Sequence, residues 1–175
     1  MIQLETPRLL LREFTLADVP DLFDLNNGPD VVKYTGDSAF KNLAEAEELV
    51  KNYDQYEKYK MGRLNVYLKE TGEFLGWCGL KYLQEKDKVD IGYRLKKSAW
   101  GKGYATEAAN ACLDYGFNVL GLDEIIGSAM KENVASIRDF EKLGLSYLQD
   151  ENCGCQPGAV YVINRSDFTK NQQTS

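Results

Sequence analysis

The chain has 175 residues, a net charge of −6 and no histidine, with the apolar and charged fractions of a soluble globular protein. This length predicts one domain with its own core, and the negative charge argues against a nucleic-acid-binding face and mildly favours a cationic substrate. The lack of histidine excludes Ser-His and Cys-His nucleophile systems. No signal peptide and no membrane-spanning segment are predicted, so we expect a cytoplasmic protein.

The four cysteines do not make a disulfide scaffold in a chain of this size. Cys78 and Cys112 stand in apolar runs, which predicts that they are small core residues. Cys153 and Cys155 form a close pair, but without histidine or a second cysteine pair nearby a zinc site lacks ligands. We interpret this pair as part of a loop, with metal or redox use as the alternative.

The first half of the chain predicts a strand, two helices and a hairpin. The strand is RLLLREF, and Thr15 or Asp18 can cap the helix that follows it. Residues 30–37 are predicted to be a short irregular or helical piece. A single, strongly charged helix is predicted over 43–60, and alternating apolar residues over 64–82 predict the hairpin.

The second half begins with a strand over 89–95, in which apolar residues alternate with polar ones. A glycine-rich turn follows, and from Ala105 the apolar residues recur at helical spacing. Another short strand is predicted over 124–129. Asn133 is a strong N-cap and Gly144 suits the position after a helix, which predicts a second helix between them.

Two strands, over 146–150 and 159–164, are predicted to complete the fold, with the cysteine-containing loop between them. The polar residues from Lys170 onwards are predicted to form a frayed tail.

The glycine-rich turn is a candidate phosphate site, because the first N–H groups of a helix have no internal partners and carry partial positive charge. Gly101 and Gly103 would let an anion approach the main chain, and Lys102 adds a cation. The alternative is an ordinary strand-to-helix connection. A Walker loop is excluded because Lys96 stands where glycine is needed, and a dinucleotide fingerprint fits poorly because Thr106 stands where a small residue is expected.

The run WGKGYATEA resembles the pyrophosphate loop of the GNAT acetyltransferases, Arg/Gln-x-x-Gly-x-Gly/Ala. Gly103 and Ala105 stand in its small positions, and Trp100 replaces the usual Arg or Gln. The opening TPRLLLREF and the Asn-x-x-Ser…Lys-x-Gly pattern that begins at Asn133 follow in the family's order. Within the family, the chain looks like the branch that acetylates the N-termini of ribosomal proteins.

The resemblance spans nearly the whole chain and implies an α/β (mixed α+β) fold. A central, mostly antiparallel, twisted sheet would carry helices on both faces, with a V-shaped splay between the strands at Val89 and Glu124. It also implies a single domain over 1–170, a frayed tail over 171–175, and a monomer or homodimer. Acetyl-CoA would be the cosubstrate, with no metal.

The strand 89–95 would supply main-chain hydrogen bonds to pantetheine and the acetyl carbonyl, and the helix from Asn133 would flank the pantetheine arm. Gly92 in mid-strand agrees with close ligand approach, although it can instead make room for a neighbouring aromatic side chain. The residues predicted to bind the cofactor are Ile91, Gly92, Tyr93, Leu95, Trp100, Gly101, Lys102, Gly103, Tyr104, Ala105, Thr106, Asn133, Ser136 and Phe140.

Acetyl transfer needs a neutral amine, a place for charge on the carbonyl oxygen, and a proton for the departing thiolate. Without histidine, the base is a carboxylate acting through water or is absent. Asp90 is the first candidate and Glu13 the second, and each can instead be an ordinary surface carboxylate. Phe140 stands where many GNAT enzymes have a tyrosine that acts as the general acid. The proton for the thiolate therefore comes from water, Ser136 or another tyrosine, or the thiolate leaves without protonation.

These patterns predict an N-acetyltransferase that moves the acetyl group of acetyl-CoA directly to a primary amine, with a protein or peptide N-terminus as the first candidate acceptor. One alternative acceptor is a small amine: an amino acid, a polyamine or an aminoglycoside. Another alternative is a non-catalytic module that only binds CoA. No nucleic-acid or membrane partner is predicted.

Overall fold

The structure, a computed structural model, describes residues 1–33 and 39–174. Eight strands in this part of the chain form one sheet with the order β1-β2-β3-β4-β5-β6-β8-β7. All neighbouring strands are antiparallel except β5 and β6, which are parallel. The strands are β1 Gln3–Glu5, β2 Leu9–Arg12, β3 Arg63–Leu68, β4 Phe74–Leu83, β5 Lys88–Leu95, β6 Glu124–Met130, β7 Ser146–Asp150 and β8 Gly158–Asn164.

Seven α-helices are described between and after these strands. The fifth continues into a π-helical turn, Tyr115–Val119, and short 3-10 turns occur at Leu16–Asp18 and Lys97–Ala99. No helix in the described ranges combines the length and apolar character that crossing a bilayer requires. The helices are α1 Val19–Asn27, α2 Pro29–Val32, α3 Leu43–Lys51, α4 Gln55–Tyr59, α5 Tyr104–Asp114, α6 Val134–Leu143 and α7 Arg165–Thr174.

Helices cover both faces of the sheet, as predicted. On one face α5 packs against the central strands, and the buried thiols of Cys78 in β4 and Cys112 in α5 are 3.9 Å apart. On the other face Leu22 and Leu25 of α1 pack against Phe74 of β4. The mostly antiparallel α/β fold and the core positions of these two cysteines are therefore confirmed, and Cys153 and Cys155 lie in the β7–β8 connection.

The sheet divides where β5 meets β6. Their register contains one pair, Asp90 with Ile126. Beyond that pair β5 stays hydrogen-bonded to β4 as far as Leu95, while β6 stays paired with β8 along its whole length. The two strands therefore part in the direction of their carboxyl ends, which agrees with the predicted V.

Some predicted elements differ from the structure. The charged helix predicted over 43–60 is two helices, α3 and α4, because the chain breaks at 52–54 and turns the Tyr53 ring inward. That ring lies 5.2 Å from Phe14 and 4.8 Å from Tyr56, centre to centre. Its hydroxyl accepts a hydrogen bond from the Arg63 N–H at 2.7 Å. The break thus lets Tyr53 contact both rings and the first residue of β3.

The two ends of the chain also differ from expectation. The N-terminal stretch forms a separate strand, β1, in addition to the predicted one. The tail predicted to fray from Lys170 is helical as far as Thr174, because the buried Phe168 of α7 packs on Phe117 at 5.1 Å between ring centres. Of the piece predicted over 30–37, residues up to Val32 are helical, and 34–38 lie outside the described residues.

Candidate active site

The glycine-rich turn lies just beyond the carboxyl end of β5, at the wide end of the V. Gly101 and Gly103 have φ angles of +72° and +81°, a left-handed conformation that glycine adopts without strain. Gly103 is the N-cap of the eleven-residue helix α5, so the first N–H groups of that helix have no carbonyl partner within it. The turn is thus arranged to accept an anion on its main chain.

Trp100 fixes the start of this turn. Its indole N–H donates to the Leu95 carbonyl at 2.9 Å, and the residue is 46% exposed. The tryptophan that replaces the family's usual Arg or Gln therefore ties the turn to the end of β5 and leaves a large ring surface open. A ligand bound at the turn would have this surface beside it.

Main-chain and side-chain roles differ among the predicted residues of β5. Ile91 and Leu95 are 1% and 4% exposed, so their side chains belong to the core and only their main chain can reach a ligand. This agrees with the main-chain role predicted for them. Tyr104, Ala105 and Thr106 form the first turn of α5, where their N–H groups lie next to the predicted anion site.

Tyr93 connects β5 to α6. Its hydroxyl donates to Asp139 Oδ2 at 2.7 Å and lies 3.3 Å from Ser136 Oγ. Burial is the main cause that raises the pKa of the Tyr93 hydroxyl, so it keeps its proton at neutral pH. Asp139 was missed by the sequence reasoning, although its position three residues after Ser136 places both on one side of a helix.

Asn133 and Phe140 hold α6 in place. The Asn133 side chain caps the helix by accepting from the Ser136 N–H at 3.3 Å. Phe140 is 3% exposed and packs on Tyr161, 5.7 Å away between ring centres, over the bare backbone of Gly127. The predicted cofactor contact of Phe140 therefore needs correction: its ring is in the core because the space above Gly127 admits it.

Asp90 and Gly92 both face Arg63 of β3. Arg63 Nη2 lies 2.9 Å from Asp90 Oδ1, and both side chains are about 15% exposed. A Cβ on Gly92 would lie 2.8 Å from the same nitrogen. Gly92 thus makes room for a guanidinium and not for an aromatic side chain, which corrects the aromatic interpretation, while its main-chain contact with the cofactor stays a prediction. Asp90 stands where the strands part, with its charge compensated.

Glu13 is not brought to the cleft. Its carboxylate accepts from the Ile2 N–H at 2.7 Å, at the edge of the sheet formed by β1 and β2. Three strand spacings, about 14 Å, separate the line of β2 from β5. Of the two predicted carboxylates, only Asp90 lies beside the V.

Comparison with known proteins agrees with this geometry. Residues 8–146 match the model of a family described as acetyltransferase (GNAT) domain. An uncharacterized N-acetyltransferase, p20, of Bacillus licheniformis is 34% identical over 152 residues, which cover 83% of this chain and 85% of that protein. A solved acetyltransferase from Agrobacterium tumefaciens superposes with a TM-score of 0.81 at 25% identity, covering 94% of this chain and 95% of the other.

The chain therefore belongs to the GNAT acetyltransferase family and is an acetyl-CoA-dependent N-acetyltransferase. A further relative is the spermidine N(1)-acetyltransferase of Escherichia coli K12, 28% identical over 137 residues, which cover 78% of this chain and 72% of that protein. The relatives do not single out the ribosomal-protein branch, so the acceptor has to be argued from the site.

Proposed function

We propose that this enzyme transfers the acetyl group of acetyl-CoA directly to a primary amine of a cationic small molecule. The observation that carries acetyl-CoA binding, on which the transfer depends, is the single register pair between β5 and β6. Past that pair the facing edges of both strands lack a strand partner, and extended backbone needs partners for its N–H and C=O groups. The pantetheine arm, with its two amides, supplies them.

The pyrophosphate would then lie on the main chain of Gly101 to Thr106. The turn follows β5 directly, so an arm that runs between the strands reaches the helix N-terminus at the wide end of the V. Bare left-handed glycines allow the phosphate oxygens to come within hydrogen-bonding distance of the N–H groups.

In the chemical step the amine nitrogen bonds to the carbonyl carbon, the C–S bond breaks, and the amine loses the proton that the thiolate gains. We assign the Tyr93 hydroxyl to the departing sulfur, because it is the phenol that β5 brings to Ser136 and Asp139 across the V. Asp139 holds the hydroxyl in position before the reaction. The single Tyr93 proton would then turn from Asp139 to the sulfur, where the hydrogen bond stabilises the developing negative charge.

The amine loses its proton through water held by Asp90. This carboxylate stands at the position where β5 and β6 part, and Arg63 fixes its orientation. Glu13 takes no part, since it is engaged by Ile2 at the far edge.

The acceptor class is argued from a cavity on the same side of the sheet as Asp90. Lys81, which lines it, is the cross-strand neighbour of Asp90, so the two side chains share one face of the sheet. The cavity has a volume of about 480 Å³ and lies between α3, α4 and β4. Its charged lining consists of three carboxylates and one ammonium group, which favours a cation. The carboxylates are those of Glu45, Glu48 and Asp54.

A peptide N-terminus is the second candidate, supported by the resemblance of WGKGYATEA to the ribosomal-protein branch. The relative that acts on spermidine supports a small amine instead. Because spermidine carries several ammonium groups along an alkyl chain, it matches an acidic cavity with an aromatic wall at Phe40 and Tyr53 better than an extended peptide does.

The test is thiol release from acetyl-CoA with polyamines, free amino acids, aminoglycosides and N-terminal peptides. We expect turnover with polyamines, and a higher KM for them, with kcat maintained, in a Glu45→Gln, Glu48→Gln double variant. Turnover with peptides alone would overturn the small-amine assignment. Saturable CoA binding without turnover of any amine would point to a binding module.

A further inference from the structure

We propose that Arg8, in the turn between β1 and β2, is a positioning residue for acetyl-CoA that acts by fixing Glu107 and the glycine-rich turn. The inference rests on the proposed pyrophosphate site at 101–106. Arg8 and Glu107 are 99 positions apart in the chain. They belong to the two stretches, TPRLLLREF and WGKGYATEA, that carry the resemblance to the family.

Arg8 holds the turn from several sides. Its Nε donates to Glu107 Oε2 at 2.6 Å, and its own backbone N–H donates to Oε1 of the same carboxylate at 3.0 Å. Nη1 donates to the Lys102 carbonyl at 3.0 Å, and the guanidinium carbon lies 4.5 Å from the centre of the Tyr104 ring. A Cβ on Gly103 would lie 3.3 Å from Nη2, so the guanidinium packs directly on the helix N-cap.

Glu107 is the group through which Arg8 acts. The Thr6 hydroxyl donates to Oε1 at 2.5 Å, so three donors converge on a carboxylate whose side chain is 18% exposed. Burial pushes the pKa of Glu107 up, but the hydrogen bonds from Thr6 and Arg8 outweigh it and lower the pKa below its usual value. The carboxylate is therefore charged at neutral pH.

An ionised carboxylate in the first turn of α5 stands close to the N–H groups that would take the pyrophosphate. Like charges at this range repel each other, which would weaken the binding of an anion. Arg8 compensates the charge of Glu107 and turns the carboxylate towards the β1–β2 turn. By holding the Lys102 carbonyl it also keeps the glycine turn in the conformation that exposes its N–H groups.

The experiment compares CoA binding by Arg8→Ala, Arg8→Lys, Glu107→Ala and the Arg8→Ala, Glu107→Ala double variant, by calorimetry. We expect Arg8→Ala to weaken CoA binding about tenfold, and Arg8→Lys to rescue little of it, because lysine lacks the fork of donors that spans Glu107 and Lys102. The KM for acetyl-CoA should rise with it, while kcat and the KM for the amine stay unchanged.

Since Arg8 acts through Glu107, adding Arg8→Ala to Glu107→Ala should weaken binding by much less than tenfold. Independent, multiplying effects would overturn the role assigned to Glu107 and leave the Lys102 carbonyl as the route by which Arg8 acts. An affinity within twofold of wild type for Arg8→Ala would overturn the positioning role. Thr6→Val serves as a milder probe should the alanine variants fail to fold. Lys69→Ala is the matched control, since it removes an exposed ion pair with Glu5 at the same sheet edge.

Gly103→Val separates this inference from the proposed site. If Gly103→Val keeps wild-type CoA affinity, the pyrophosphate assignment fails. If it abolishes binding while Arg8→Ala has no effect, only the role of Arg8 fails.

Discussion

Two aromatic side chains near Ser136 differ in what they present to the cleft. Tyr93 brings a hydroxyl to α6 from the neighbouring strand, whereas Phe140, on α6 itself, turns its ring into the core. The family pattern places an acidic hydroxyl at the position of Phe140. In this protein the hydroxyl beside α6 belongs to Tyr93 of β5.

Tyr93→Phe tests that hydroxyl. If it stabilises the departing thiolate, kcat should fall about a hundredfold, with little change in CoA affinity, because the ring and its packing remain. Tyr147→Phe is the control, since Tyr147 makes an equivalent hydrogen bond to Asp150 at 2.8 Å on the exposed strand β7. A normal kcat with a lowered melting temperature would show that Tyr93 only holds α6 to the sheet.

Binding of the pyrophosphate by the main chain predicts different effects on CoA affinity for substitutions at two adjacent residues, Lys102 and Gly103. Gly103→Val should weaken CoA binding more than a hundredfold, because a branched side chain both strains a φ of +81° and blocks the N–H groups. Lys102→Ala should weaken CoA binding only slightly, since an exposed point charge contributes little to affinity.

Calorimetric titration with CoA measures both variants. Gly72→Val is the matched control: Gly72 has a φ of +73° in an open turn, so it carries the same backbone strain away from the site. A larger loss for Lys102→Ala than for Gly103→Val would contradict binding by the helix N-terminus.

At the level of elements, an ion pair connects the start of α1 to the sheet. Arg12 of β2 makes a two-pronged contact with Asp18 at 2.8 and 2.9 Å, and Tyr67 of β3 donates to the same carboxylate at 2.6 Å. The Asp18 side chain is 5% exposed. Breaking one partner of such a pair leaves the other charge buried and costs more than the pair contributes.

Stability should therefore depend on pH through Asp18. Burial pushes its pKa up, but hydrogen bonds from Arg12, Tyr67 and Thr15 outweigh this and lower the pKa from 3.8 to about 2. Because the folded pKa lies below the unfolded one, the stabilisation is present above about pH 4 and is lost as the pH falls towards 2. We expect this to amount to roughly 2 to 2.5 kcal/mol.

Urea unfolding at pH 7, 4 and 3 measures the dependence. Asp18→Asn should lower the free energy of unfolding at pH 7 by about 3 kcal/mol and flatten the acid part of the curve. Asp150→Asn, which breaks an exposed pair with Lys131, should change little. If Asp18→Asn and wild type have the same free energy of unfolding at pH 7, and that free energy falls equally in both between pH 4 and 3, this account is ruled out.

Elements with strong local signals were predicted well. The structure confirms the hairpin of β3 and β4, the strand β5, and the capped helix α6, with Gly144 left-handed at a φ of +94°. The interruption at 52–54 was not predicted, because the charged pattern there continues the helical period. Its cause is the packing of Tyr53 and Tyr56 on Phe14, which comes from a distant part of the chain.

At the scale of the whole molecule, the sheet has two halves that are joined by one pair of residues. Strands β1 to β5 form one half and β6, β8 and β7 the other, joined at Asp90 and Ile126 and by the helices that pack across them. A ligand bound between β5 and β6 would hydrogen-bond to both halves. Binding should therefore stabilise the molecule against unfolding.

Thermal unfolding with CoA at about a hundred times its Kd should show a gain of about 2.7 kcal/mol, or roughly 5 to 10 °C. ATP and NAD at the same concentration should give much smaller shifts, since neither carries a pantetheine arm. Gly103→Val should lose the shift. Equal shifts with all three ligands would indicate a general nucleotide site and contradict the V as the CoA cleft.

The sequence by itself determined the order of most elements, the phosphate-type turn before α5, and the absence of histidine chemistry. These follow from local properties: periodicity, capping residues, left-handed glycines and composition. Only the tertiary structure decided which of the candidate site residues lie in contact. It paired Asp90 with Arg63, placed Glu13 at the far edge and Phe140 in the core, and joined Tyr93 to Asp139 and Arg8 to Glu107. Each depends on strand register or helix packing between residues far apart in the chain, which no local pattern encodes.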